Sequence, residues 1–298
     1  MELAQPILGP HLEELKTAIP ALARSSEPLL IVGEEGVGKT LLARHINAAS
    51  ATGNEPLPHV NLSTSSEREG RLSLLGSDFA KLTSTKRSLL ERHGNVLIEH
   101  IDAASLSLHA DVANAFRAGQ FLRPGAVRKA SVNCRPIFTL REHPQAYLER
   151  GSLAPELFQM LNSLRTVVIP PLRERPGDIS AIARHMLGRY LTPELEQLLL
   201  ADPWPGNATE LKVHLLCIRP FTGRGGPPEE CLRSVRKVIH RLDEGRHVSV
   251  KESISALESA IVAYALRCTD GHKTRAAELL GMTPAALRRH IEKSERPS

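Results

Sequence analysis

Long uninterrupted apolar runs are absent from the 298-residue chain, whose apolar windows are short and broken by polar residues. No segment therefore reads as a membrane span, and the opening stretch MELAQPILGPHLEEL lacks the basic start and apolar middle of a signal peptide. The expectation is a cytoplasmic protein with no membrane partner. Cysteine is scarce: Cys134, Cys217, Cys231 and Cys268 form no CxxC pair and no metal-knuckle spacing. They read as reduced, mostly buried thiols. The 13 histidines include neither HxxxH nor HExxH, so the common zinc spacings are missing. Internal repeats and low-complexity tracts are also missing, which excludes a solenoid.

What is present is an ordinary soluble balance of 41% hydrophobic and 24% charged residues. The length suits one large α/β domain plus one or two small ones. The net charge of +5 is unevenly placed. From Arg219 onward there are 15 Lys and Arg against 10 Asp and Glu, whereas residues 1–218 hold 23 of each. A neutral body with a basic end is the electrostatic footprint of a nucleic-acid-binding terminus.

Pro28 to Gly33 (PLLIVG) is a short apolar run ended by glycine, and Thr40 to Ala49 has apolar residues at helical spacing, so the pair reads strand, loop, helix. Asn95 to Ile101, Arg135 to Leu140 and Arg165 to Ile169 read as further buried strands. Helical patterns such as Ser105 to Ala118 separate them, which predicts a parallel sheet covered by helices. After Pro170-Pro171 only helical patterns follow, over Asp178 to Tyr190, Pro193 to Ala201 and Ala208 to Ile218. Arg219 to Pro228 reads as a linker, Glu229 to Leu242 as a helix, and Val250 to Ser298 as a separate helical block. The expected organisation is an α/β part over residues 1–172, a helical subdomain over 173–218, a linker with a helix over 219–249, and an all-α domain over 250–298.

Gly33-Glu34-Glu35-Gly36-Val37-Gly38-Lys39-Thr40 fits GxxxxGK[ST] between a buried strand and a helix. Glycines let backbone N–H groups turn inward around phosphate oxygens, and the helix start adds its positive dipole end. Lys39 is expected to reach the outer phosphates and Thr40 to ligate Mg²⁺ through the nucleotide, with Leu41 completing the candidate nucleotide-binding set. Whether the loop still holds nucleotide is a separate matter from the fold.

At the other end, Leu257 to Arg267 reads as an amphipathic helix followed by a turn at Asp270-Gly271. Lys273 to Leu280 forms a short helix, Gly281 breaks it, and Thr283-Pro284 supplies an N-cap and a first helical residue. Ala276 and Ala277 allow close crossing, while Leu280, Met282, Leu287 and Ile291 supply a core. The outward face of the last helix carries Arg288, Arg289, His290 and Lys293, suited to a major groove. Candidate double-stranded DNA contacts are these four with Lys273, Thr274, Arg275, Thr283, Pro284 and Ala285. A two-fold dimer on a palindrome is the usual geometry.

Together these motifs resemble the sigma-54-dependent activators, or bacterial enhancer-binding proteins, with an AAA+ domain followed by a Fis-type helix-turn-helix. The resemblance rests on GEEGVGKT, Val60-Asn61, GNVLIEHID, IPPLRERPGDI from Ile169 to Ile179, DPWPGNATEL from Asp202 to Leu211, and the terminal GHKTRAAELLGMTPAALRRHI. It begins near Ile7, which implies no room for an N-terminal receiver or sensor domain.

The resemblance also implies departures. Where the family has Asp-Glu at the end of the Walker B strand, to hold Mg²⁺ and polarise the attacking water, this chain has Glu99 and His100. The family's sensor Thr-Asn aligns with Leu140 and Arg141, its two arginine fingers with Ala154 and Met160, and its sensor II arginine with Thr209. No GAFTGA contact loop occurs between Ser73 and Gly94. Arginine fingers are worth about 10³–10⁵ in rate in related chemistry.

The expectation is a DNA-binding transcription regulator that binds ATP or ADP with Mg²⁺ through Lys39, hydrolyses it weakly or not at all, and acts independently of sigma-54. No confident catalytic residue is assigned. RNA polymerase is an expected partner. The chain is expected to form homo-oligomers, a dimer or a hexamer, or hetero-oligomers with a related activator. The alternative is an active ATPase that remodels sigma-54 RNA polymerase, alone or mixed with an intact paralogue, with Glu99 or His100 replacing the lost carboxylates.

Overall fold

The computed structural model describes residues 9, 12–53, 55–77, 88–188, 191, 193–218, 262, 266, 269, 271–279 and 283–294. It divides into two compact units, Met1–Asp178 with Pro203–Thr209, and Ile179–Asp202 with Glu210–Ser298.

The first unit is built on five parallel strands: β1 (Leu29–Val32), β2 (His59–Asn61), β3 (Gly94–Glu99), β6 (Cys134–Leu140) and β7 (Arg165–Val168), in the order β2-β3-β6-β1-β7. All four residues of β1 are buried, the continuous apolar run of a strand covered on both faces. Its register against β6 pairs Val32 with Leu140, and against β7 Val32 with Val168. The strand ends therefore align at one edge. The α/β expectation is met. The edge strand β2 and the antiparallel hairpin of β4 (Gln120–Leu122) and β5 (Lys129–Ser131) are additions. Three-residue strands are too short to display a period.

Local chemistry sets the helices around the sheet. These are α1 (Glu13–Arg24), α2 (Lys39–Ala48), α3 (Glu67–Leu75), α4 (Leu106–Ala118), α5 (Pro144–Glu149) and α6 (Pro155–Asn162). In α3, Ser66 and Glu69 form a reciprocal capping box. In α4, the Ser105 hydroxyl accepts the Leu108 N–H, and Gly119 at φ 65° ends the helix. Two apolar clusters pack against the sheet. One gathers Leu30, Phe138, Val112 and Leu157, and the other Leu29, Ile31, Leu42 and Ile46. Phe116 meets Phe138 edge to face at 5.8 Å. Cys134 is half-buried, and burial pushes its thiol up to about 12, as expected of an inert cysteine.

The helix α7 (Pro176–Leu187) leads into the second unit, which contains α8 (Pro193–Leu200) and most of α9 (Asn207–Ile218), then the helices Lys273–Leu279 and Pro284–Ser294. Outside the described residues lie Tyr190, the linker over 219–249 with its Glu229–Leu242 helix, most of Leu257–Arg267, residues 78–87, Cys231, Cys268, Leu280, Gly281 and Met282. The side chain of Cys217 is likewise outside them. Among the described residues no helix is long and apolar enough to cross a membrane.

His109 of α4 ties two loops together. It is fully buried; Nε2–H donates to the Ile101 carbonyl at 2.7 Å, and Nδ1 accepts the Ala154 N–H at 3.4 Å. Burial holds its pKa below the ordinary imidazole value, outweighing the Ile101 hydrogen bond and the Asp102 charge. A depressed folded pKa gives stability that is complete above the unfolded value, about 6.5, and is lost as pH falls toward the folded one. The thermal midpoint should therefore drop on acidification from pH 7 to pH 5. His109→Gln should cost about 1–3 kcal/mol at pH 7 and flatten that slope. A variant profile running parallel to the parent would exclude this role.

Candidate functional site

The loop between β1 and α2 lies where the strand ends converge, the crevice that open α/β sheets use for ligands. Its first amide, Gly33 N–H, donates to the Leu140 carbonyl at the end of β6 at 3.1 Å. Gly36 has φ 77°, and a Cβ there would stand 2.3 Å from the Gly206 carbonyl oxygen. Only glycine fits. Gly38 has φ 110°, and a Cβ there would meet nothing within 4 Å, so open space lies above the loop. Among the described residues, no protein acceptor takes the amide hydrogens of Gly36, Val37 or Gly38. Donors of this kind form an anion-binding nest.

Lys39, only 7% exposed, donates from Nζ to the carbonyls of Gly33 at 2.6 Å and Glu34 at 2.8 Å. Its third proton remains for a ligand. Burial, then the Arg141 charge, lowers its pKa to about 8, against the opposing charges of Glu35, Asp102 and Glu99. The Thr40 hydroxyl donates to Glu99 Oε1, which brings together two hard oxygen groups suited to Mg²⁺. Leu41, also in α2, is half-buried. The free amides, open space and remaining lysine proton fit a nucleotide's phosphates.

Two glutamates of the loop are held differently. Glu34 receives two hydrogen bonds from Arg173, at 2.7 and 2.9 Å, and one from Asn207 Nδ2 at 3.1 Å. Those bonds, Arg173's foremost, hold its carboxyl below the usual range. Glu35 instead makes a single ion pair with Arg141 at 2.9 Å. Asn207 is fully buried at φ 55°; its Oδ1 accepts the Leu172 N–H at 2.7 Å and its Nδ2 also donates to the Glu35 carbonyl at 2.8 Å. Sequence reasoning quoted the PPLRER and WPGN blocks but assigned no role to Arg173 or Asn207. Separations of 139 and 173 positions from Glu34 hide such contacts.

His100 follows β3 in the left-handed region, at φ 54°, with its N–H donating to Thr139 Oγ1 at 3.1 Å. Its Nδ1 is buried without a partner. Burial, then Lys39, lowers its pKa, so the imidazole is neutral. Leu140 is buried in the core, while Arg141 turns outward to the loop. Ala154 is buried, Met160 is half-buried and Thr209 is exposed.

In the second unit the Lys273–Leu279 and Pro284–Ser294 helices share a small core of Val262, Ala276, Ala277 and Leu287, with Leu266 and Ile291 packed against it. The preceding turn uses Gly271 at φ 78°, whose N–H donates to the Leu266 carbonyl. Thr283 Oγ1 accepts the Ala286 N–H at 3.2 Å, the N-cap bond its residue type suits. Lys273, Thr274, Arg275, Thr283, Pro284, Ala285 and Arg288 are exposed. The side chains of Arg289, His290 and Lys293 lie outside the described residues.

The sigma-54 interaction domain matches residues 8–167, more than half of the chain. The chain belongs to this family. The helix-turn-helix of Fis-family bacterial regulatory proteins matches residues 253–293. Among curated relatives, regulatory protein AtoC of Escherichia coli K12 is 29% identical over 289 residues, covering 89% of this chain and 62% of AtoC. The transcriptional regulator NtrC of the same organism is 26% identical, covering 95% of this chain and 68% of NtrC. The chain thus spans about two thirds of such relatives. The structure of NtrX from Brucella abortus in complex with ATP overlays with a TM-score of 0.66 at 22% identity, covering 99% of this chain and 70% of that one. At that identity the likeness is one of fold, an AAA+ parallel sheet.

Asn207→Ala should destabilise the first unit by about 2–4 kcal/mol, since it strands the buried Leu172 N–H and loosens Glu34. Chemical denaturation of the full chain measures it. A loss under about 0.5 kcal/mol, the size of an ordinary surface change, would show that Asn207 organises nothing.

Proposed function

We propose that this chain is a sequence-specific DNA-binding transcription regulator whose AAA+ domain binds ATP or ADP with Mg²⁺ but hydrolyses it weakly or not at all, and which acts independently of sigma-54. The domains are those read from the sequence: 1–172 and 173–218 for the AAA+ module, 219–249 for the linker, and 250–298 for the helix-turn-helix. The DNA half is supported by the Fis-family match and by the basic and polar groups exposed on the paired helices. The nucleotide half is supported by the unsatisfied amides of Gly36, Val37 and Gly38 beside the Lys39 ammonium. Mg²⁺ would sit with Thr40 and Glu99 and neutralise phosphate charge there.

The observation that carries the hydrolysis reading is His100. At the position where the family places a glutamate to polarise water stands a neutral imidazole, left-handed in backbone and partnerless at Nδ1. Ala154 and Met160 likewise bring no guanidinium to the finger positions. The second reading, an ATPase that remodels sigma-54 polymerase alone or in mixed oligomers, is favoured by the family match over 8–167. A dimer through the C-terminal helices needs no bridging nucleotide, whereas a hexamer built like the family's does.

Titration of the purified chain with ATP and ADP should show binding of both, with affinity falling about tenfold or more in Lys39→Ala. Steady-state phosphate release should stay at background. Sustained turnover that Lys39→Ala abolishes would favour the second reading. Arg288→Ala should weaken binding to the cognate site by about 1–3 kcal/mol if the guanidinium reads a base. An equal loss on unrelated duplexes would mark it as a phosphate contact.

A further inference from the structure

Arg141 occupies a place that no recognised role explains. It directly follows Leu140, whose carbonyl accepts the first amide of the phosphate loop, so the end of β6 is stitched to Gly33. Its guanidinium is close enough to the loop to pair with Glu35, and its charge is felt by both Lys39 and His100. A second permanent cation thus stands beside the lysine at the mouth of the cradle.

Its present partner is a weak hold. Arg141 is 48% and Glu35 71% exposed at the side chain, and ion pairs so wetted contribute about 0–1 kcal/mol. Glu34, by contrast, is fixed by Arg173 and Asn207. The loop therefore carries one locked carboxylate and one exchangeable one. A terminal phosphate offers more charge than Glu35 and a geometry matched to a guanidinium fork. A diphosphate does not extend that far.

We infer that Arg141 is a phosphate ligand supplied in cis, which releases Glu35 to grip the terminal phosphate of a nucleoside triphosphate and so favours ATP over ADP. This rests on the nucleotide-binding reading above. Glu35 then acts as the competing anion that holds Arg141 in the empty loop, and the preference needs no divalent metal because the guanidinium carries it.

Equilibrium titrations of the full chain with ATP and with ADP, each in Mg²⁺ and in EDTA, test this. The parent should prefer ATP in both buffers. Arg141→Gln should lose about tenfold or more in ATP affinity with ADP much less affected, the strength of a charge-assisted contact. Arg141→Lys should recover part of the preference, and Glu35→Gln should widen it. Binding of both nucleotides with a ratio unchanged in Arg141→Gln would overturn the Arg141 assignment and leave the nucleotide reading standing. A preference that vanishes in EDTA would assign it to the metal and overturn the proposal. Binding of neither nucleotide by the parent, with circular dichroism showing a folded chain, would overturn both readings.

Discussion

A buried ammonium has to be solvated by something, and in this molecule the loop that precedes Lys39 does it. The Gly33 and Glu34 carbonyls turn in toward Nζ, and the chain that follows must then present the amides of Gly36 to Gly38 on the other side. That reversal needs positive φ at Gly36 and Gly38. The opposing carboxylates come from elsewhere: Glu99 from the end of β3, Asp102 just beyond it, and Glu35 from the loop. They reach the lysine because β3, β6 and β1 are adjacent in the sheet. The strand order is thus part of the electrostatics of one side chain.

The same convergence explains why small sequence changes at the strand ends have outsized chemical meaning. Glu99 spans to Thr40, so the carboxylate and the hydroxyl share one proton donor and one pair of hard oxygens. One residue on, His100 turns into the left-handed region, a conformation uncommon for a residue with a Cβ. An imidazole held there is neutral and only partly hydrogen-bonded, a poor substitute for a carboxylate that must polarise water. On the far side, Arg141 brings a positive charge to the mouth of the loop, where Glu35 holds it in a wetted ion pair. The site gains grip on anions where the activator family keeps groups for turnover.

The DNA-binding end obeys simpler rules. Ala276 and Ala277 are fully buried, which brings the short helix close to Leu287 of the next one. Nothing in that packing depends on titration or on a distant partner, so Thr283, Pro284 and the alanine pair were readable as local signals. Arg173 and Asn207 were not. Each acts on Glu34 across more than a hundred positions, and neither residue type announces such a role. The edge strand β2 and the β4–β5 hairpin escaped notice because three residues carry no period.

The order of residues alone determined the strands β1, β3, β6 and β7, the phosphate loop, the helix-turn-helix and the family, because each is a short-range pattern of polarity, glycine and caps. Tertiary structure decided what the charges do. It set Lys39 down to about 8, locked Glu34 to Arg173, tied Thr40 to Glu99 and paired Arg141 with Glu35. Burial and Coulomb interactions depend on distances through space, and only the folded sheet brings those residues together.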